Sequence, residues 1–287
     1  MAGLVISVGT IGISSHNTEA TLISDLCENV GISCEDVITP LPSEPSPSSE
    51  PSPSSEKFFT ALFLQYVDED AQVEIYKPNM GSEDMTRLRV QDDDVLKPEY
   101  VQAAQSLPGK HGVAFTSSQA IVENAKRVKD LGFDYIEFNL ESEVSPSSDN
   151  NDVVGAMKKA AEAAHAQDLK FRATPSKPYT TDYGTQIAPF VDYYHIQAQA
   201  LQEDGIEAYS DYVHTTISDL KDAKPGLIIS VQVSTQRDNA PGLSLLETLK
   251  QCTDSVMDVA DGVSVWFGGD DLSILKSFVQ WYNDKWS

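Results

Sequence analysis

Polar and apolar residues alternate along residues 131–141, L-G-F-D-Y-I-E-F-N-L-E, in the manner of a strand. Successive side chains of a strand point to opposite faces, so Ile136, Phe138 and Leu140 fall on one face and Glu137, Asn139 and Glu141 on the other. A strand buried in a parallel sheet is normally apolar on both faces. The polar row therefore marks this strand as the place to look for chemistry.

The same reading extends along the chain. A 3.6-residue period predicts helices over 118–131, 153–167, 207–223, 243–259 and 272–286, with short ones over 98–107 and 185–190. Runs rich in β-branched and aromatic residues predict strands over 58–67, 112–116, 169–174, 193–199, 227–234 and 262–267. Residues 4–9 read as a further strand and 18–30 as a helix with Asn17 or Thr18 as N-cap. Residues 68–77 alternate like a short hairpin, and 81–94 are polar, acidic and irregular. Eight strands, most followed by a helix, predict an α/β fold with a (β/α)8 TIM-type barrel. An open doubly wound sheet is disfavoured because no strand leads into a G-x-G-x-x-G turn.

Residues 40–56 contain P-S-P-S-S-E twice in tandem. Such a segment buries too little apolar surface to offset the entropy of ordering it, so it reads as an extended linker. Two domain readings follow. Either one barrel spans 1–287 with an insertion at 40–56, or an N-terminal segment 1–39 and the linker precede a barrel over 57–287.

In a barrel of this kind chemistry sits at the C-terminal ends of the strands. Taking the polar face of each strand as inward gathers Glu137, Asn139 and Glu141, Arg172 and Thr174, His195, Gln197 and Gln199, Ser230, Gln232 and Ser234, and Ser264 and Trp266. Five consecutive strands offering amides, hydroxyls, carboxylates and a Trp suit a polyhydroxylated ligand, with Trp266 as a stacking platform. Glu137 with Arg172 reads equally as a structural ion pair, and His195 as a core histidine. Glu141 is the last residue before a polar loop, 142–152, that is expected to be flexible and to cover the cleft.

Charge narrows the partners. The chain of 287 residues carries 20 basic and 44 acidic residues, a net charge of −24, which argues against nucleic acid or an anionic membrane. Cys27, Cys34 and Cys252 form neither a disulfide framework nor a zinc pattern, although Cys27 and Cys34 are close enough in sequence to bridge. No metal or cofactor is expected, and no run approaches the length of a membrane span. The Pro/Ser linker argues for an extracellular or cell-surface protein, whereas no basic residue precedes the apolar run near the N-terminus as a standard signal peptide would require.

On these residues the chain resembles the family-18 glycoside hydrolases, which comprise chitinases, related endo-N-acetylglucosaminidases and catalytically inactive chitinase-like lectins. Their fourth-strand signature, D-x-x-D-x-D-x-E, has the spacing of D-Y-I-E-F-N-L-E at 134–141, with the first Asp and the final Glu intact. The segment K-H-G-V-A-F-T-S-S is similar to the family's third strand, residues 194–199 to its sixth, and 262–266 to its eighth with a terminal Trp. The resemblance implies that Glu141 is a general acid protonating the glycosidic oxygen, with the substrate's own acetamide as nucleophile. It implies that Asn139, where the family has Asp, orients that acetamide, and that Glu137 stands for the next Asp back. Gln197, Gln199, Gln232, Trp266 and Arg172 would hold the sugar. The expected partner is a glycan or chitin-like oligosaccharide. Hydrolysis of N-acetylhexosamine-containing glycans, glycan binding by a catalytically silent barrel, and an unrelated barrel enzyme all stay open at this point.

Overall fold

The computed structural model describes residues 57–90, 96–269 and 271–286. The expected strand at 4–9, the helix at 18–30, the linker and the Cys27–Cys34 pair lie outside the described residues.

Eight parallel strands close into a barrel: β1 (Phe58–Leu64), β2 (Met85–Arg89), β3 (Lys110–Phe115), β4 (Tyr135–Leu140), β5 (Lys170–Pro175), β6 (Tyr193–Ile196), β7 (Ile228–Ser234) and β8 (Gly262–Trp266). β8 closes on β1 through Phe58 opposite Gly262 and Thr60 opposite Ser264. The eight staves of this barrel come from residues 58–266. A barrel of eight strands is expected from the sequence, but with a different assignment near its start. Residues 58–67 supply the first strand rather than the second, and β2 lies within 81–94, the stretch read as irregular.

Two further local readings are corrected. Residues 68–77 contain the helix Glu69–Tyr76, not a hairpin. Asp68 caps it by accepting the Ala71 N–H, and Gln72, Ile75 and Tyr76 are buried at helical spacing. Buried Gln72 binds both the N–H and the C=O of Leu64, tying this helix to β1. The brief helix expected at 185–190 is the longer Lys177–Ile187, which opens with Pro178 in its first turn and is followed by a 3-10 turn. Proline is tolerated there because the first N–H groups of a helix have no internal partner. Among the described residues no helix is long and apolar enough to cross a membrane.

The outward faces of the strands pack against the helices in one large apolar core, in which Phe59, for example, meets Tyr76 and Tyr282. A smaller group, Phe58, Met85 and Tyr135 with Tyr193 against it, is packed separately toward the strand starts. Gly112, opposite Tyr135 in register, makes room for that ring: a Cβ there would lie 2.1 Å from Tyr135 Cε2. The Tyr135 hydroxyl donates to the Thr86 carbonyl at 2.8 Å.

An aspartate stands one residue before every even-numbered strand and accepts a backbone N–H from the strand before it. Asp84 takes Phe59, Asp134 takes His111, Asp192 takes Phe171 and Asp261 takes Ile229, at 2.6–2.9 Å. In the last three pairs the aspartate's own N–H donates back to the same residue's carbonyl. The first Asp of the fourth-strand signature, Asp134, thus belongs to the stability end of the barrel.

Candidate functional site

The polar faces meet inside the barrel as the alternation requires. Glu137 is fully buried. Its Oε1 accepts from the Thr174 hydroxyl at 2.6 Å and lies 2.7 Å from Arg87 Nε, although that N–H is not aligned for a hydrogen bond. The expected pairing with Arg172 is present but looser, 3.6 Å from Nε to Oε2. Arg172 reaches across the barrel, donating to Thr60 Oγ1 at 3.3 Å and Ser230 Oγ at 2.9 Å.

His195 is sealed among these groups. Ser230 Oγ, which accepts from Arg172, lies 2.8 Å from His195 Nδ1, and Nε2 lies 3.0 Å from Gln232 Oε1 and 2.9 Å from Ser264 Oγ. Burial, with the Arg172 and Arg87 charges nearby, pulls the imidazole well below its ordinary value. His195 is buried in this network and does not line the cleft, in keeping with a core histidine.

Above this layer opens a cleft of about 410 Å³. Asn139, Glu141, Gln197, Gln199, Gln232 and Trp266 line it, so six of the eight sequence-derived site residues come together there. Glu137 and Arg172 lie beneath it, outside its lining.

The orientation of the amides follows from one carbonyl. Thr174 O can only accept, so the group facing it at 3.3 Å is Gln197 Nε2. That nitrogen also donates to Asn139 Oδ1 at 3.1 Å, which leaves Asn139 Nδ2 to donate to Glu141 Oε1 at 2.7 Å. Gln197 Nε2 approaches the same oxygen at 3.4 Å, and Gln199 Nε2 donates to Gln197 Oε1. Glu141 itself is partly exposed at the mouth. Its backbone is fixed by Ser145, which accepts the Glu141 N–H on Oγ and donates its own N–H to the Glu141 carbonyl.

The loop that follows is more tightly held than its composition suggests. It contains the short helix Ser147–Asn151, and buried Asp149 accepts both the N–H and the hydroxyl of Ser118. Asn150 bonds the Ser142 and Ser145 carbonyls. Ser142 and Glu143 remain on the cleft wall.

Four cations at or beside the cleft escaped the sequence reading. Arg87 and Arg89 come from β2, and Lys177 and Arg237 stand at the rim. The Arg89 guanidinium lies 4.5 Å from the centre of the Trp266 ring, covering that ring with a cation–π contact. The signal was the alternation M-T-R-L-R, whose charged residues face inward and whose Leu88 faces the helices.

No family model matches the sequence, and no curated protein matches it. Solved structures do. A family-18 chitinase from Pseudoalteromonas aurantia superposes with a TM-score of 0.55 at 11% identity, covering 78% of this chain and 99% of that one. A chitinase from Chromobacterium violaceum gives 0.54 at 14% identity over 78% and 98%. A family-18 chitinase from Crocus vernus gives 0.52 at 12% identity over 80% and 98%. The fold is that of the family-18 glycoside hydrolases. In this barrel the segment 134–141 runs along β4, with Glu141 directly after its last residue.

Proposed function

We propose that the cleft binds an N-acetylhexosamine-containing glycan and hydrolyses it with assistance from the substrate's acetamide. What supports this reading is the Asn139–Glu141–Gln197 cluster at the C-terminal end of β4 and β6, beside an aromatic ring, in a barrel of chitinase type. Glu141 would pass its proton to the glycosidic oxygen as the bond from that oxygen to the anomeric carbon breaks. The acetamide oxygen would close on the anomeric carbon in the same step. Water would then open the cyclic intermediate, returning a proton to Glu141. Asn139 Oδ1 has a second lone pair for the acetamide N–H, and Trp266 would stack on the sugar. The catalytic domain is proposed to begin at Lys57.

A second reading, glycan binding without turnover, is favoured by one observation. Asn139 and Glu137 stand where the family's fourth-strand signature has Asp, so its Asp–Asp–Glu series is incomplete here. Mass spectrometry of N-acetylglucosamine oligomers and high-mannose glycans incubated with the protein separates the two. Cleavage by the wild type that is lost in Glu141→Gln supports hydrolysis, retention of intact glycan supports binding alone, and neither result overturns both.

A further inference from the structure

The charges beneath the cleft do not balance. Arg87 feels two carboxylates, Glu137 and Glu141, and two further cations, Arg172 and Arg89. Three guanidiniums therefore share two carboxylates. The Arg87 Nε side faces Glu137 Oε1 at 2.7 Å, an oxygen that already accepts from Thr174, so the far side of the guanidinium has no carboxylate of its own. Arg87 is 2% exposed, yet it lines the cleft, and its Nη2 is buried with no hydrogen-bond partner among the described residues. Leaving a buried charged donor unmade is expensive, so such a group is expected to meet a ligand.

Composition sharpens the point. The chain has only five arginines, at positions 87, 89, 127, 172 and 237, and all but Arg127 stand in the barrel interior or at the cleft. In a chain of net charge −24 this is a local concentration of positive charge and not a general property of the surface. The helix Lys177–Ile187 also begins on the cleft wall at Ser176, Lys177 and Pro178, presenting the positive end of its dipole there.

We infer that the ligand of this cleft carries an anionic substituent, a carboxylate or a sulfate ester, that is received by Arg87. The inference rests on the glycan reading above and narrows it to acidic N-acetylhexosamine glycans. Arginine suits the task because its planar fork matches two oxygens of either group.

Isothermal titration calorimetry of the full chain tests it with three tetrasaccharides. One is neutral N-acetylglucosamine tetramer, one the same tetramer carrying 6-sulfates, and one alternates N-acetylglucosamine with glucuronate. The anionic oligomers are expected to bind about tenfold more tightly than the neutral one, with the gap closing at high salt. The arm that gains identifies sulfate or carboxylate. Arg87→Gln should lose the preference while still binding the neutral tetramer, and Arg87→Lys should keep part of it. If Arg87→Gln fails to fold, the salt dependence of the wild type carries the test. Equal or weaker binding of both anionic oligomers overturns the inference. If no oligosaccharide binds but inorganic sulfate raises the melting temperature of the wild type and not of Arg87→Lys or Arg87→Gln, the anion site stands and the glycan reading falls. With no effect of sulfate either, both fall.

Discussion

Asn139 Nδ2 donates to Glu141 Oε1 across 2.7 Å, in a direction fixed by the Thr174 carbonyl through Gln197. An amide at this position is a donor at every pH, whereas a carboxyl group would donate only when protonated. Glu141 is therefore held at rest as a hydrogen-bond acceptor. In the proposed reaction Oε1 can keep this contact while the transferred proton sits on Oε2.

The first prediction concerns that pair. Glu141→Gln preserves the shape and the Asn139 contact but removes the transferable proton. Turnover of a cleaved oligosaccharide should fall at least about a hundredfold with little change in affinity. Kinetics on the substrate found by mass spectrometry check this, and a loss below tenfold would assign the proton transfer elsewhere.

A second prediction follows from the buried charges. Glu137→Gln leaves Arg87 and Arg172 without their shared carboxylate and should cost about 3–5 kcal/mol of stability. Urea denaturation measures it. A cost under 1 kcal/mol would mean that the two guanidiniums do not depend on Glu137.

Trp266 is expected to bear on affinity and not on folding. Trp266→Ala should weaken glycan binding about tenfold, since the ring offers stacking area and is only partly buried. Its removal also frees Arg89. Calorimetry against the neutral tetramer, with melting temperature as control, distinguishes lost stacking from lost structure.

Asp192 gives a pH-dependent prediction. Burial alone would push its carboxyl up, but the Phe171 N–H, His165 and Lys170 outweigh burial and hold it below the ordinary 3.8. A depressed acid contributes stability that is fully present above its unfolded value and is lost as pH falls through the lower folded value. Asp192→Asn should thus cost about 1 kcal/mol above about pH 5, a figure reduced for solvent screening, and the difference should vanish in stronger acid. Denaturation at several pH values reads it out; a difference independent of pH would assign the effect to packing.

The barrel was legible because amphipathic helices follow β4, β6, β7 and β8, and the inward polar residues of the strands repeat at spacing two. β2 was not legible. Its inward face carries Arg87 and Arg89, so the usual cue of an apolar core face was absent, and the run 91–94 of Gln and Asp beside it resembled a loop. Residues 4–9 took its place in the count and kept the total at eight. The helix Glu69–Tyr76 was hidden because Val73 and Ile75 alternate with charges over too few residues to separate a period of two from one of 3.6. At the cleft, Asn139, Glu141, Gln232 and Trp266 followed from strand alternation, whereas Gln197 and Gln199 reach it from beyond the end of β6, which stops at Ile196 and not at 199 as expected. The cations did not follow, because Arg87 and Arg89 were lost with β2, Lys177 begins a helix whose start the sequence reading placed at 185, and Arg237 stands in a connecting segment without periodicity.

The four aspartates at the strand starts bear on the cleft at the other end. Parallel strands lack a hairpin to set their alignment, and a slip of one residue would turn every inward side chain outward. Each aspartate names the residue that its neighbouring strand must present, such as His111 for Asp134 and Phe171 for Asp192. From Asp134 to Glu141 the chain advances roughly 23 Å at strand rise. The alignment of Glu141's strand with β3, and of Gln197's strand with β5, is thus pinned at the far floor of the barrel, by residues outside the cleft.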